Sequence, residues 1–406
     1  MRSVSNGRTS PARLLTVLAS ALAAAAGCDG AGVTKHDAFV PTDDFDRRAM
    51  LAHLGTDVLL PMQREVAATA QLVPPAIAAY CDALDAGTVG TTLDAARAAF
   101  VDAIDAWEAA EAVLVGPAAM DNKTLRGLIY SWPLISPCEL DKDTASRWAN
   151  PAGYDVNAEL VNARSLSAVE YLLYPPSDSH NCSQPPAGWT ALGADLPKAR
   201  CRLALVLATD AAAKAQQLAT AWEPDGGNYV AQLATAGTSS SSFPSAHAAV
   251  NVVSDGLFYV DSMVKQMKLA EAAGIAVNAC QTVQEPCVRE VELRFADRAT
   301  FAIRRNLGGF RAVFTGTTST TDGPGFDDFL IALGHQDVAD RMTASIDAAI
   351  AKADALPDSF LTALASNYGD VSATHAALKA ITDDLKSQFL TLLALEIPDD
   401  VATDND

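Results

Sequence analysis

Asn162–Tyr174 reads NARSLSAVEYLLY, and its reading organises the rest of the chain. Leu166, Val169 and Leu173 recur at helical spacing, and a single carboxylate, Glu170, interrupts the apolar run. On a helix Glu170 shares a face with Ser167 and Tyr174, three and four residues away. No Lys or Arg follows at those spacings, so a carboxylate held there needs partners from other helices. Two readings stand open: a buried Glu satisfied by a neighbouring Arg or hydroxyl, or a functional site, because perturbed carboxylates cluster at such sites.

The composition predicts an all-α protein. Half of the 406 residues are hydrophobic, only 6% are aromatic, and long stretches are rich in Ala, Leu, Asp and Glu. No alternating β-branched stretch is long enough for a sheet. Thr92–Val115 carries the clearest period: Leu93, Phe100, Trp107 and Leu114 every seven residues, with Ile104 on the same face. Arg97 and Glu111 intrude on that stripe. Glu111 is either a helix end emerging before Gly116-Pro117 or a second acid aimed inward. Further helices are predicted over Arg47–Val73, kinked at Pro61, and over Ala76–Leu84, Asn157–Tyr174, Lys198–Trp222, Ala246–Ala272 and Glu290–Phe314. Tyr130-Ser131-Trp132-Pro133-Leu134 is too aromatic for a solvent loop and is expected to plug a gap between helices. The Gly- and Ser-rich stretch 225–245 reads as a linker between a bundle at 47–224 and another at 246–397, followed by an acidic tail at 398–406.

The N-terminus reads as an export signal. Arg2, Arg8 and Arg13 precede the largely apolar thirteen-residue run Leu14–Ala26, too short to span a bilayer. Small residues directly before Cys28 resemble the bacterial lipobox, which implies cleavage after residue 27 and lipidation of Cys28. The other reading is an ordinary signal peptide cut nearby. Residues 28–46 then form a tether. The expected location is the cell envelope, on the periplasmic or outer-membrane side, with the lipid anchor making the membrane a partner. Six cysteines remain, an even number consistent with three disulfides. Cys280–Cys287 encloses a short segment; Cys182–Cys201 and Cys81–Cys138 are the pairings expected for the rest.

The formal net charge is −20, and −23 without the three leading arginines. Such a surface repels phosphate backbones, so nucleic-acid binding is not expected. Six arginines fall within Arg289–Arg311, the natural cationic partners for Glu170 or Glu111. Asn306 lies on the apolar face of that stretch and needs hydrogen-bond partners. No nucleotide-binding, zinc-protease, serine-hydrolase or EF-hand motif is present, and the six histidines are scattered.

Several segments in order resemble the imelysin family. Phe100–Ala118 is similar to its Trp-xxx-Glu helix ending in Gly-Pro, Tyr130–Leu134 to its Ser-Trp-Pro segment, and Arg164–Tyr174 to its GxHxxE helix with the following Tyr-Leu-Leu. Asp255–Lys268 and Arg305–Gly316 are similar to its C-terminal helices. The resemblance implies two packed helical bundles with the signature helix near their interface. It also implies an exported envelope protein, labelled a metallopeptidase in founding members and linked to iron uptake in others. Here Ser165 stands at the family's Gly position and Ser167 at its His, while Glu170 stays. A hydroxyl is a poor ligand for iron or zinc, which leaves Glu170 as the sole candidate metal-ligating or catalytic residue. The expected function is therefore a binding or accessory protein. Its ligand site would lie between the bundles, built from Ser167, Glu170, Glu111, Trp107, Trp132, Arg305 and Asn306. It would accept a small ligand or an envelope protein partner. The alternative is an imelysin-type metallopeptidase using Glu170 and ligands that the sequence does not identify.

Overall fold

Proline chemistry shapes the first hairpin of helices. Residues 41–281 and 285–398 of the chain are described by a computed structural model. Helix α1 (Arg47–His53) is N-capped by Asp46, runs into a π-helical segment (Leu54–Leu59), and continues as α2 (Leu60–Ala70), with Pro61 near its start. Proline cannot donate to the preceding turn, and the widened turn before it absorbs the missing bond. Pro74 and Pro75 open helix α3 (Val73–Ala86) rather than breaking it, since the first turn needs no N–H donors. Gly87 closes α3 in the left-handed conformation.

Helix α4 (Thr92–Glu111) buries Phe100, Ile104 and Trp107 as its heptad spacing predicts. Then come α5 (Met120–Ile129), α6 (Pro137–Ala149), α7 (Ser165–Leu173), the short α8 (Trp189–Leu192) and the long α9 (Leu196–Trp222). Helices α2, α3, α4, α7 and α9 form the first bundle. The expected linker is partly helical: α10 (Tyr229–Ala234) buries Tyr229, Val230 and Leu233 and packs on α1. The second half holds α11 (Ala246–Leu257), a π-helical stretch (Val260–Glu271), α12 (Ala299–Thr315), α13 (Phe326–Ala332), α14 (Gln336–Ala355), α15 (Phe360–Ser366), α16 (Tyr368–Asp384) and α17 (Leu390–Leu393). No strand occurs among the described residues. The second bundle is built on α12, α14, α16 and the π-helical stretch.

The bundles meet where α12 crosses α4. A Cβ on Gly309 would lie 2.0 Å from the Ala109 carbonyl oxygen, so only glycine allows this approach.

Several expectations are corrected. The disulfides are Cys81–Cys201, Cys138–Cys182 and Cys280–Cys287; only the last agrees with the expected pairing. Cys81 on α3 faces Cys201 on α9 because those helices lie side by side, with Cα atoms 5.6 Å apart. Cys138 at the start of α6 meets the loop carrying Cys182. Asn157–Ala163 forms two short 3-10 turns instead of opening a helix, and the stretch before Ala299 is not helical. At the end of the expected tether, Asp43 pairs with Arg47 at 2.7 Å and Phe45 stacks on Phe329. The proposed signal, Cys28 and the tether up to residue 40 lie outside the described residues, as does the tail from 399.

Gly309→Ala is expected to destabilise the fold by about 1–3 kcal/mol through overpacking. Gly308→Ala, where a Cβ meets nothing within 4 Å, is expected to be neutral or to stabilise by up to about 1 kcal/mol. Urea denaturation of both variants checks this.

Candidate functional site

The signature helix α7 is fixed at both ends by arginines. Arg164 pairs with Asp210 of α9 at 2.6 Å. Arg97, the charge that intrudes on the α4 stripe, donates to the Leu173 carbonyl at 3.0 and 2.9 Å and covers the Tyr174 ring. Its intrusion is thus a C-terminal cap for α7. Tyr171 donates to Asp141 of α6 at 2.7 Å.

The serines of α7 hold the Tyr130–Leu134 segment. Ser165 sits at φ 82, in the left-handed region, where a side chain costs about 1 kcal/mol. Its hydroxyl donates to Ser131 Oγ and accepts from the Ser131 N–H. Ser167 Oγ accepts from the Trp132 N–H at 3.0 Å. The two hydroxyls thereby place Trp132 beside Glu170.

Glu170 is 5% exposed. Its Oε1 accepts from the backbone N–H groups of Phe295 and Ala296 at 2.9 and 3.0 Å. Burial pushes its pKa up to about 7, against the pull of those two N–H groups and of nearby Arg294. The N–H groups are free because residues 291–298 leave the helical path, with Leu293 and Asp297 at positive φ. Trp132, Pro133 and Ile135 from the first half and Met267, Glu271, Ala279, Arg289, Glu290, Val291, Leu293, Arg294 and Phe295 from the second line a cavity of about 310 Å³ at this carboxylate.

Behind Trp132 lies a second polar cluster, sealed from solvent. Lys268 donates to Glu108 at 2.5 Å and to Asn306 Oδ1 at 2.9 Å, and lies 3.0 Å from Glu292. Asn306 Nδ2 donates to the Glu108 carbonyl and carboxylate, and the Tyr130 hydroxyl donates to Glu292 at 2.9 Å. Arg126 donates to Glu111 and to the Trp132 carbonyl, and Trp107 Nε1 donates to Glu111 at 2.7 Å. Lys268 also lies 5.9 Å from the Trp132 ring centroid and 5.5 Å from that of Tyr259. Burial and the neighbouring Glu292 raise the Glu108 pKa well above the usual range. Burial raises Glu292 too, opposed by Lys268. Burial alone would depress Lys268, but the charges of Glu108 and Glu292 outweigh it. Three carboxylates against two cations are balanced when the Glu108–Glu292 pair carries one proton.

The residues singled out in the sequence therefore divide. Glu170 and Trp132 line the cavity, and Ser167 positions Trp132. Glu111, Trp107 and Asn306 belong to the sealed cluster, so Trp107 is not a cavity wall. Arg305 belongs to neither: it is exposed on the outer face of α12 and pairs with Asp105 at 3.1 Å. The cation for Glu111 comes from Arg126 of α5, not from the arginine-rich run. Glu108, Lys268, Glu292, Tyr130 and Arg126 were not singled out. Glu108 and Glu111, one turn apart beside Trp107, were the readable sign of an inward acidic pair.

Two helical bundles with this signature helix at their junction define the class, and the family model for imelysin matches residues 59–388. The chain belongs to the imelysin family. It is 28% identical over 342 residues to Iron-regulated protein A of Synechococcus elongatus, covering 83% of this chain and 84% of that protein. Among solved structures it is similar to an imelysin-like protein from Psychrobacter arcticum (TM-score 0.63, 17% identity, 88% of this chain and all of that one). It is likewise similar to a putative iron-regulated protein A precursor from Parabacteroides distasonis (TM-score 0.65, 16% identity, 87% and 97%).

The metal implied by the family's peptidase label does not fit these residues. The hydroxyl at the motif's His position accepts a backbone N–H, and one oxygen of Glu170 accepts two more. Among the described residues no three His, Cys, Asp or Glu side chains are grouped to hold a metal ion. A lone carboxylate oxygen is not a ligand set for iron or zinc.

Lys268→Met strands buried carboxylates and is expected to cost about 3–5 kcal/mol in denaturant unfolding. Glu170 gives a pH signature. Its folded pKa of about 7 lies above the ordinary 4.5, so between these values the folded state holds more protons and stability falls as pH rises. Glu170→Gln removes that term. Relative to the parent, the variant should gain about 2–3 kcal/mol between about pH 4 and about pH 8, read from unfolding curves at each pH.

Proposed function

We propose that this chain is an exported, lipid-anchored envelope protein with a binding or accessory role linked to iron, and that its ligand occupies the cavity at Glu170. The carrying observation is the use made of the motif positions. Ser167 and one oxygen of Glu170 are spent on backbone N–H groups, while the carboxylate still borders a cavity with Trp132, Met267 and Phe295 on its walls. That is the construction of a ligand seat: apolar walls with few polar groups placed for orientation. The iron link rests on the similarity to proteins named for iron regulation. Export and an oxidising compartment are supported by three disulfides, one of which joins residues 120 apart in sequence.

Metal analysis of the purified chain and of Glu170→Ala tests the binding role. Neither should retain iron or zinc stoichiometrically after dialysis, and neither should cleave peptides. A full equivalent of metal lost on Glu170→Ala would instead establish the metallopeptidase reading. Cys28→Ser should move the protein from the membrane to the soluble envelope fraction.

A further inference from the structure

The two carboxyl oxygens of Glu170 are not equivalent. Oε1 is held by the Phe295 and Ala296 N–H groups, whereas Oε2 has no hydrogen-bond or ion-pair partner among the described residues. The side chain is 5% exposed and borders the cavity. Glu170 lines the cavity, so a ligand that displaces water from this oxygen must bring an N–H or O–H in its place.

The lining sets the charge of that donor. Glu170, Glu271 and Glu290 lie with Arg289 and Arg294 around the cavity, an excess of one acid once the pH exceeds the Glu170 pKa of about 7. Both arginines are already engaged: Arg289 donates to the Ala279 carbonyl, and Arg294 donates to the Arg289 carbonyl and lies over the Phe295 ring. The sealed cluster behind Trp132 adds no net positive charge, with Glu108, Glu111 and Glu292 against Lys268 and Arg126. The remaining wall is apolar or aromatic: Trp132, Ile135, Met267, Leu293 and Phe295.

We propose that the cavity binds a small organic ammonium ion, whose N–H donates to Glu170 Oε2 while its hydrocarbon body lies against Trp132, Met267 and Phe295. This rests on the reading of the cavity as the ligand seat. A cation fits because the charge-assisted bond and the aromatic faces both favour it.

Calorimetric titration of the full chain with phenethylamine, 3-phenylpropionate and 2-phenylethanol, three probes alike in shape and different in charge, tests the proposal. The amine should bind one per chain, roughly tenfold or more tighter than the other two. Glu170→Gln, which keeps an acceptor for the two N–H groups, should weaken the amine by roughly tenfold, and Met267→Trp should block it by filling the seat. Equal or tighter binding of the carboxylate or alcohol, lost in Met267→Trp, would overturn the ammonium assignment and leave the seat standing. Amine binding unchanged in both variants, or no binding of any probe to a folded chain, would overturn the seat as well.

Discussion

Lys268 is the constraint around which the two bundles are assembled. Its ammonium group is shut off from water between Glu108 of the first bundle and Glu292 of the second, and Asn306 of α12 completes its coordination. An ion buried this way is costly unless every partner is in place, so any slip of α12 along α4 would strand charge. The same crossing demands Gly309, whose missing side chain lets the helix backbones touch. Packing and electrostatics thus specify one register. The apolar surfaces alone, mostly alanine and leucine, would tolerate several.

That register carries through to the cavity. Trp132 is held on one side by Ser167 and on the other by Arg126, which is itself committed to Glu111. The wall of the cavity is therefore a part of the sealed cluster turned outward. Glu292 lies between Val291 and Leu293, both cavity-lining residues, and is fixed by Lys268 and Tyr130. The buried ions position a surface that is otherwise made of loop, which explains how an irregular segment keeps a defined shape.

The helical class and the heptad of α4 were legible because a 3.6-residue period repeats often enough to outweigh local exceptions. The burial of Glu170 was legible because a lone acid in an apolar helical run needs partners from other helices. Residues 291–298 were not, because arginine-rich sequence with intermittent Phe, Ala and Leu has good helix propensity, and nothing local marks Leu293 or Asp297 for positive φ. Tertiary contacts overrode propensity there, and the released N–H groups are the ones Glu170 accepts. The long-range disulfides failed for a related reason. No local signal in the sequence shows that α3 and α9, distant along the chain, are adjacent in space. Arg305 and Asn306 do not share a site because adjacent residues on a helix face different directions: Asn306 enters the sealed cluster and Arg305 is exposed.

Two serines decide what kind of site this junction can be. At φ 82 the first occupies a backbone conformation that suits glycine, and its hydroxyl offsets that strain by binding Ser131. The second stands where the family places an imidazole and uses its oxygen as a backbone acceptor. Neither substitution disturbs the helix, and both add hydrogen bonds to the Tyr130–Leu134 segment. The consequence falls on Glu170. Without an imidazole beside it, the carboxylate belongs to no group of three metal-ligating side chains among the described residues. The two N–H groups on one oxygen offset only part of the cost of its burial, and the other oxygen is left open to a donor from the cavity.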